Sequence, residues 1–290
     1  MVEYLTQHLQ TVAIDLFRLC LWLAILSVIF VPLERLFALH PAAVFRDGID
    51  TDLAWYFINA LLPTLLLSAP LGLVAGAVHG LVPAGFHATV AAAPFWARTL
   101  AALVVAETGY YWGHRMMHEL PALWRFHSVH HSAGHIDFLV NSRAHPIDIV
   151  FGRLCGTIPL YVVGLAGPVG TTAGTMPLLI TVAGTIWGFF IHANLRWRLG
   201  PLEWLVTSPA FHHWHHSLTA PTDRNFASTL PWLDRLFGTF HSPNGEWPSR
   251  YGIKEMMPDP LGQQLVQPLL EPRPWPVGYS RSTVQRARSQ

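Results

Sequence analysis

Two histidine-rich runs constrain this chain more than any other feature. From His114 to His131 it reads HRMMHELPALWRFHSVHH, five histidines in eighteen residues, and from Phe211 to His216 it reads FHHWHH. On a helix, residues three and four apart share a face. His114 and His118 have that spacing, as do His127, His130 and His131, and again His212, His215 and His216. Eight imidazoles can thus project from three helical faces. Neutral imidazole is the commonest metal ligand, and one ion takes about four protein donors, so this number favours two metal ions. Packing alone is a poor explanation, because unpaired polar groups beside a membrane are costly.

A membrane setting follows from composition. The chain is 51% hydrophobic and 12% charged, about half the usual 25% of charged residues. Several stretches are long enough to cross a hydrocarbon core of roughly 30 Å: residues 11–33, 53–78, 95–112, 147–167 and 176–191. Residues 1–10 lack the basic start of a signal peptide, so the first stretch is expected to be a retained span. Pro63 and Pro70 predict a kink or break in the second. Residues 79–94 read as a loop, and GPVGTTAGT as the turn of a membrane hairpin that returns His192 to the side of His131. Arg35, Arg46, Arg115, Arg125, Arg143, Arg196 and Arg198 gather on the histidine side. The positive-inside rule then makes that side cytoplasmic. The expected fold is all-α, an integral membrane helical bundle of four or five spans with a cytoplasmic histidine-rich cap. It divides into N-terminal spans (1–96), a catalytic domain with a membrane hairpin (97–251) and a Pro-rich, flexible tail (252–290). The net charge is +1 and Lys254 is the single lysine, so no basic tract suggests nucleic acid. Cys20 and Cys155 lie in apolar stretches and read as small buried hydrophobes.

The order H-x-x-x-H, H-x-x-H-H and a distant H-x-x-H-H resembles the fatty acid hydroxylase / sterol desaturase superfamily. GPLEWLVTSPAFHHWHH (Gly200 to His216) and NFASTLPWLDRLFGTF (Asn225 to Phe240) resemble that family's last histidine box and the segment after it. The resemblance covers roughly residues 97–251. It implies a membrane-bound enzyme with two iron ions that uses O2 to hydroxylate or desaturate a C–H bond of a lipid, whether sterol, fatty acyl, carotenoid or ether lipid. Zinc could occupy the site in purified samples, since it binds such ligands more tightly than Fe²⁺. No fused haem domain is evident, so electrons are expected from a separate donor, a ferredoxin or a cytochrome b-type protein with its reductase. A bacterial inner membrane and an endoplasmic reticulum both suit the chain; the Ala- and Arg-rich composition favours the former.

The resemblance also extends the ligand set. His192, in IHAN, matches the histidine before the last box, but Arg196 stands where a further histidine is expected. His145, in RAHPID, matches an H-P-x-E element and could fill that vacancy, with Asp148 in the place of the acid. The expected ligands are therefore His114, His118, His127, His130, His131, His145, His192, His212, His215 and His216. Asp148, His213 and Asn225 are expected behind them, orienting rings or closing the site. Two other readings compete. A zinc-dependent membrane hydrolase needs a glutamate base, as in H-E-x-x-H, which H-R-M-M-H lacks, although Glu119 follows His118. A non-catalytic haem protein would place single histidines on facing spans, not boxes at span ends.

Overall fold

The computed structural model describes residues 2–166, 175–219, 221–254, 257 and 261–270. It is all-α. Helices α1 (Val2–Leu36) and α2 (Ile49–Leu81) are the long apolar elements. Two segments, Val12–Leu36 and Ile49–Val78, are long and apolar enough to cross a membrane. A third span arises if α3 (Ala84–Ala92) and α4 (Phe95–Glu119), bent by 115° at their junction, count together. The next two helices, α6 (Pro146–Val162) and α7 (Thr175–His192), are shorter, and the turn expected between them lies outside the described residues. Among the described residues two or three helical spans are thus long and apolar enough to cross a membrane, where four or five were expected.

Local expectations change in two places. Pro63 and Pro70 sit inside α2, so of the kink or break expected there the break does not occur. Residues 79–94 are largely helical, not a loop: they are rich in alanine, a strong helix former, and their prolines, Pro83 and Pro94, stand at the N-caps of α3 and α4, where a missing N–H does no harm.

Prolines also punctuate the histidine-bearing part. Helix α4 stops at Leu120 because a residue before proline avoids the α region. Pro121 then opens α5 (Pro121–His131) at a position where its fixed φ suits a helix. The same device starts α6 after His145, and α8 (Pro209–His215) after Ser208, whose Oγ accepts a bond from the Phe211 N–H at 3.2 Å.

Helix α4 packs on α6 through glycines. A Cβ on Gly109 would collide with the Cys155 carbonyl, and one on Gly113 would lie 2.8 Å from the Cys155 sulfur. A Cβ on Gly156 would approach the Ala106 carbonyl to 3.3 Å. Gly109/Gly113 and Gly152/Gly156 are two G-x-x-x-G pairs facing one another, the pattern that lets helix backbones approach within a membrane.

A buried ionic knot ties α2 to the segment before α6. Asp52, fully buried, accepts from Arg143 Nε at 2.6 Å and from Arg46 Nη2 at 2.7 Å. Arg46 also pairs with Asp137. Asn59 Nδ2 donates to the Ser142 and Ala144 carbonyls at 2.8 and 2.7 Å. Within the C-terminal segment, α10 (Leu261–Leu270) docks on the bundle, where Trp55 Nε1 donates to Gln264 Oε1 at 3.0 Å.

Candidate metal centre

The histidines collect into two neighbouring groups. His114, His118, His127, His131 and His215 form one; His130, His192, His212 and His216 form the other. In each, one ring nitrogen per residue lies within 4.8 Å of all the others. Helix α5 supplies both groups, His127 and His131 to the first and His130 to the second. Helix α8 and its C-cap also divide, His215 to the first, His212 and His216 to the second. The two i, i+3, i+4 triplets therefore each straddle two sites. The His131 and His216 rings, one from each group, stack 4.4 Å apart.

Hydrogen bonds fix most of these rings. His114 Nδ1 donates to the Phe226 carbonyl at 2.7 Å, His130 Nδ1 to Arg143 O at 2.9 Å, His192 Nδ1 to Gly188 O at 2.7 Å and His215 Nδ1 to Arg224 O at 2.8 Å. His127 Nδ1 faces both Asp148 oxygens at 3.0 and 3.1 Å, and His118 Nδ1 faces Asp223 at 3.0 Å. A carbonyl or carboxylate can only accept, so Nδ1 carries the proton, and in a neutral ring Nε2 is left as a bare lone pair. These lone pairs point at each other. His114 Nε2 is 3.1 Å from His127 Nε2, and His192 Nε2 is 3.2 Å from His130 Nε2. Two lone pairs make no hydrogen bond; the arrangement calls for a cation between them. His118 Nε2 and His215 Nε2 are buried with no hydrogen-bond partner. Metal–nitrogen bonds of about 2.0–2.1 Å put neighbouring donors about 3.0–3.4 Å apart, close to the spacing seen. The donor set fits two metal ions.

Burial favours the neutral form of several rings. It lowers the His130 pKa to about 4, with His127 nearby adding to the effect, and holds His131, His212, His215 and His216 well below the ordinary histidine value. At neutral pH no proton competes for the lone pairs of these rings.

The remaining expected residues are placed as follows. His145 stands apart from both groups: its Nδ1 accepts from the Ile147 N–H and its Nε2 donates to Leu265 O at 3.0 Å, so it caps α6 and anchors α10. Neither nitrogen is left for a metal. Asp148 faces His127, not His145. His213 donates through Nε2 to Ala193 O and accepts at Nδ1 from the Tyr251 hydroxyl, both at 3.0 Å, clamping the chain next to His192. Asn225 adopts a left-handed φ of 61°, tolerated by asparagine, and its side chain bonds the Phe211 carbonyl and both polar groups of the His241 backbone. Three residues beside it, Asp223, Arg224 and Phe226, supply acceptors to the grouped rings. Asp234 in turn grips the Phe226 and Ala227 N–H groups at 2.8 and 2.9 Å. The backbone acceptors left no mark in the sequence pattern, because every residue type has a carbonyl.

Residues 99–239 match the fatty acid hydroxylase family model. Over that stretch, just under half of its length, the chain is similar to the fatty acid hydroxylase family. It is 36% identical over 176 residues to ornithine lipid hydroxylase OlsE of Rhizobium tropici, covering 60% of this chain and 51% of that protein. Human alkylglycerol monooxygenase is 30% identical over 145 residues, 50% of this chain and 31% of that one. Methylsterol monooxygenase 2-2 of Arabidopsis thaliana is 28% identical over 204 residues, 65% and 67% of the two chains. The chain thus spans about half the length of the first of these relatives and about a third of the second. No solved structure matches it. Both histidine groups lie within or between the fatty acid hydroxylase residues of the chain.

Proposed function

We propose that the protein is a membrane-bound di-iron oxygenase that hydroxylates or desaturates a C–H bond of a lipid. The carrying observation is the pair of buried histidine groups with Nδ1 tied to acceptors and Nε2 lone pairs converging. Nine residues are proposed as ligands: His114, His118, His127, His131 and His215 for one ion, His130, His192, His212 and His216 for the other. Bound there, iron supplies reduction of O2 and oxidation of an unactivated C–H bond, with electrons from a separate ferredoxin or cytochrome b-type donor. The chain's own residues bind, orient and shield. Asp148, Asp223 and the carbonyls of Arg143, Gly188, Arg224 and Phe226 hold the rings, while Trp124 and Phe226 pack against His118 at 5.2 and 5.1 Å and exclude water. Helices α6 and α7 leave and return to the histidine side and complete a membrane part of four or five spans, with the centre on the cytoplasmic face. The name of the R. tropici relative makes an ornithine lipid the first substrate to try.

The zinc-hydrolase alternative loses its base. Glu119 is tied to Arg115 Nε at 2.7 Å, and its side chain is half exposed. Metal analysis of detergent-purified protein expressed with iron tests the proposal. About two ions per chain are expected, about one in His130→Ala, and two still in His145→Ala, with O2 uptake that depends on lipid and on an electron donor. One zinc per chain and no O2 uptake would refute it.

A further inference from the structure

A cavity of about 1030 Å³ lies beside the metal centre but is not part of it. None of the nine grouped histidines lines it. Its inner wall includes Ser132, which follows His131, and Asn194, two residues beyond His192. One side is a stripe along α1: Leu23, Ser27, Val31 and Arg35 recur at helical spacing, a run of about 18 Å at 1.5 Å per residue. Ile49 and Leu53 of α2 face it. The lining therefore follows α1 along that run, apolar at Leu23 and Val31 and beside Ile49 and Leu53 at the start of α2, and polar around Glu34 and Arg35.

The charges at the polar end are unequal in their commitments. Both carboxylates there are spoken for. Glu34 accepts from the Phe138 and Asn194 N–H groups at 2.7 and 2.9 Å. Asp137 is held by Arg46, whose guanidinium is shared with Asp52. The other cations are not so used. Arg35 donates to one backbone carbonyl, that of Ala42, and among the described residues no carboxylate pairs with Arg35, Arg250 or Lys254. An apolar slot with uncommitted positive charge at its mouth suits an amphiphile with a negative head. Its size also lies at the upper end of ordinary ligand pockets, about 300–1,000 Å³.

We propose that this cavity binds one membrane lipid with an anionic headgroup, its head on Arg35, Arg250 and Lys254 and its chain between α1 and α2. Guanidinium and ammonium groups are suited to phosphate or carboxylate oxygens. Attraction between basic groups and an anionic membrane surface would deliver such a lipid to the mouth. The proposal does not depend on oxygen chemistry, and its test reads binding, not turnover.

The test uses metal-loaded full-length protein, stripped of lipid in neutral detergent. Native mass spectrometry then follows binding of phosphatidylglycerol and of phosphatidylcholine carrying the same chains. One phosphatidylglycerol per chain is expected, with at least a tenfold preference over phosphatidylcholine. Arg250→Gln with Lys254→Gln should abolish that preference and leave metal content unchanged, since both side chains are exposed and outside the metal centre. Lys254→Gln alone, the milder change, should reduce it. Ser27→Trp, which fills the apolar end, should weaken both lipids. Equal binding of the two lipids by the wild type, or a preference that survives in the double variant, overturns the proposal. Displacement of phosphatidylglycerol by millimolar inorganic phosphate also overturns it, and would assign a site for a free anion.

Discussion

At the scale of single residues, the decisive chemistry is which nitrogen of each imidazole is already committed. Asp148 shows this. Its carboxylate faces His127 Nδ1, fixing the tautomer that leaves Nε2 free to face the other rings. Asp148→Ala removes that acceptor. Metal affinity at the five-histidine group is expected to fall about 10–100-fold, while Asp148→Asn, which can still present an oxygen, should lose less. Competition against a chelator of known affinity would measure it, and an unchanged affinity in Asp148→Ala would argue that the carboxylate does not orient the ring. His145 carries the opposite lesson. It sits in a family-like motif one turn before Asp148, yet both of its nitrogens are spent on backbone groups. Sequence spacing can name a histidine as a ligand candidate; it does not reveal what else the ring is bonded to.

At the scale of elements, the metal groups depend on how closely α4 approaches α6, because α4 carries His114 and His118 while α6 carries Asp148. The approach is set by glycine. Gly109→Ala would drive a Cβ into the Cys155 carbonyl, a backbone atom that cannot swing aside. Overpacking of this kind costs about 1–3 kcal/mol. The variant is expected to melt at a lower temperature and to bind less metal, as α6 withdraws Asp148 from His127. Gly72→Ala on α2, where an added Cβ meets nothing within 4 Å, is the control and should melt like the wild type or slightly higher. GYYWG and GRLCG stand in the sequence without attracting notice, because glycine spacing alone names no partner. That they face each other required the fold.

At the scale of the whole molecule, folding gathers nine histidines into a small volume, and burial lowers the pKa of rings such as His130, with a consequence for stability. Unfolded histidine titrates near 6.5. In the fold, burial lowers His130 to about 4 and His213 to about 3. Between those values and 6.5 the unfolded chain binds more protons than the folded one, so stability falls as pH falls. The contribution is intact above about pH 6.5 and is lost as pH drops toward 4, at about 1.4 kcal/mol per pH unit for each group fully in that window. Metal-free protein should therefore melt at a clearly lower temperature at pH 5 than at pH 7. A flat melting temperature across that range would show that the rings are not buried as neutral groups.

The sequence by itself determined the class of this protein and most of the histidines that gather in its two groups. Composition demanded a membrane, and the recurrence of H-x-x-H-H demanded helices that present imidazoles together; eight of the nine grouped histidines follow from spacing alone. Proline positions also marked where α4 ends and where α5, α6 and α8 begin, because a missing N–H and a fixed φ act locally. The division of the histidines did not follow. His130 parts from His127 and His131 because the groups are assembled by α4, α5, α7 and α8 converging from different directions, so that one helical face meets two sets of partners. The fixing of each ring, by the carbonyls of Arg143, Gly188, Arg224 and Phe226, was likewise a tertiary decision. A side-chain pattern is written in the sequence, whereas a backbone carbonyl becomes distinctive only through what the fold brings to it.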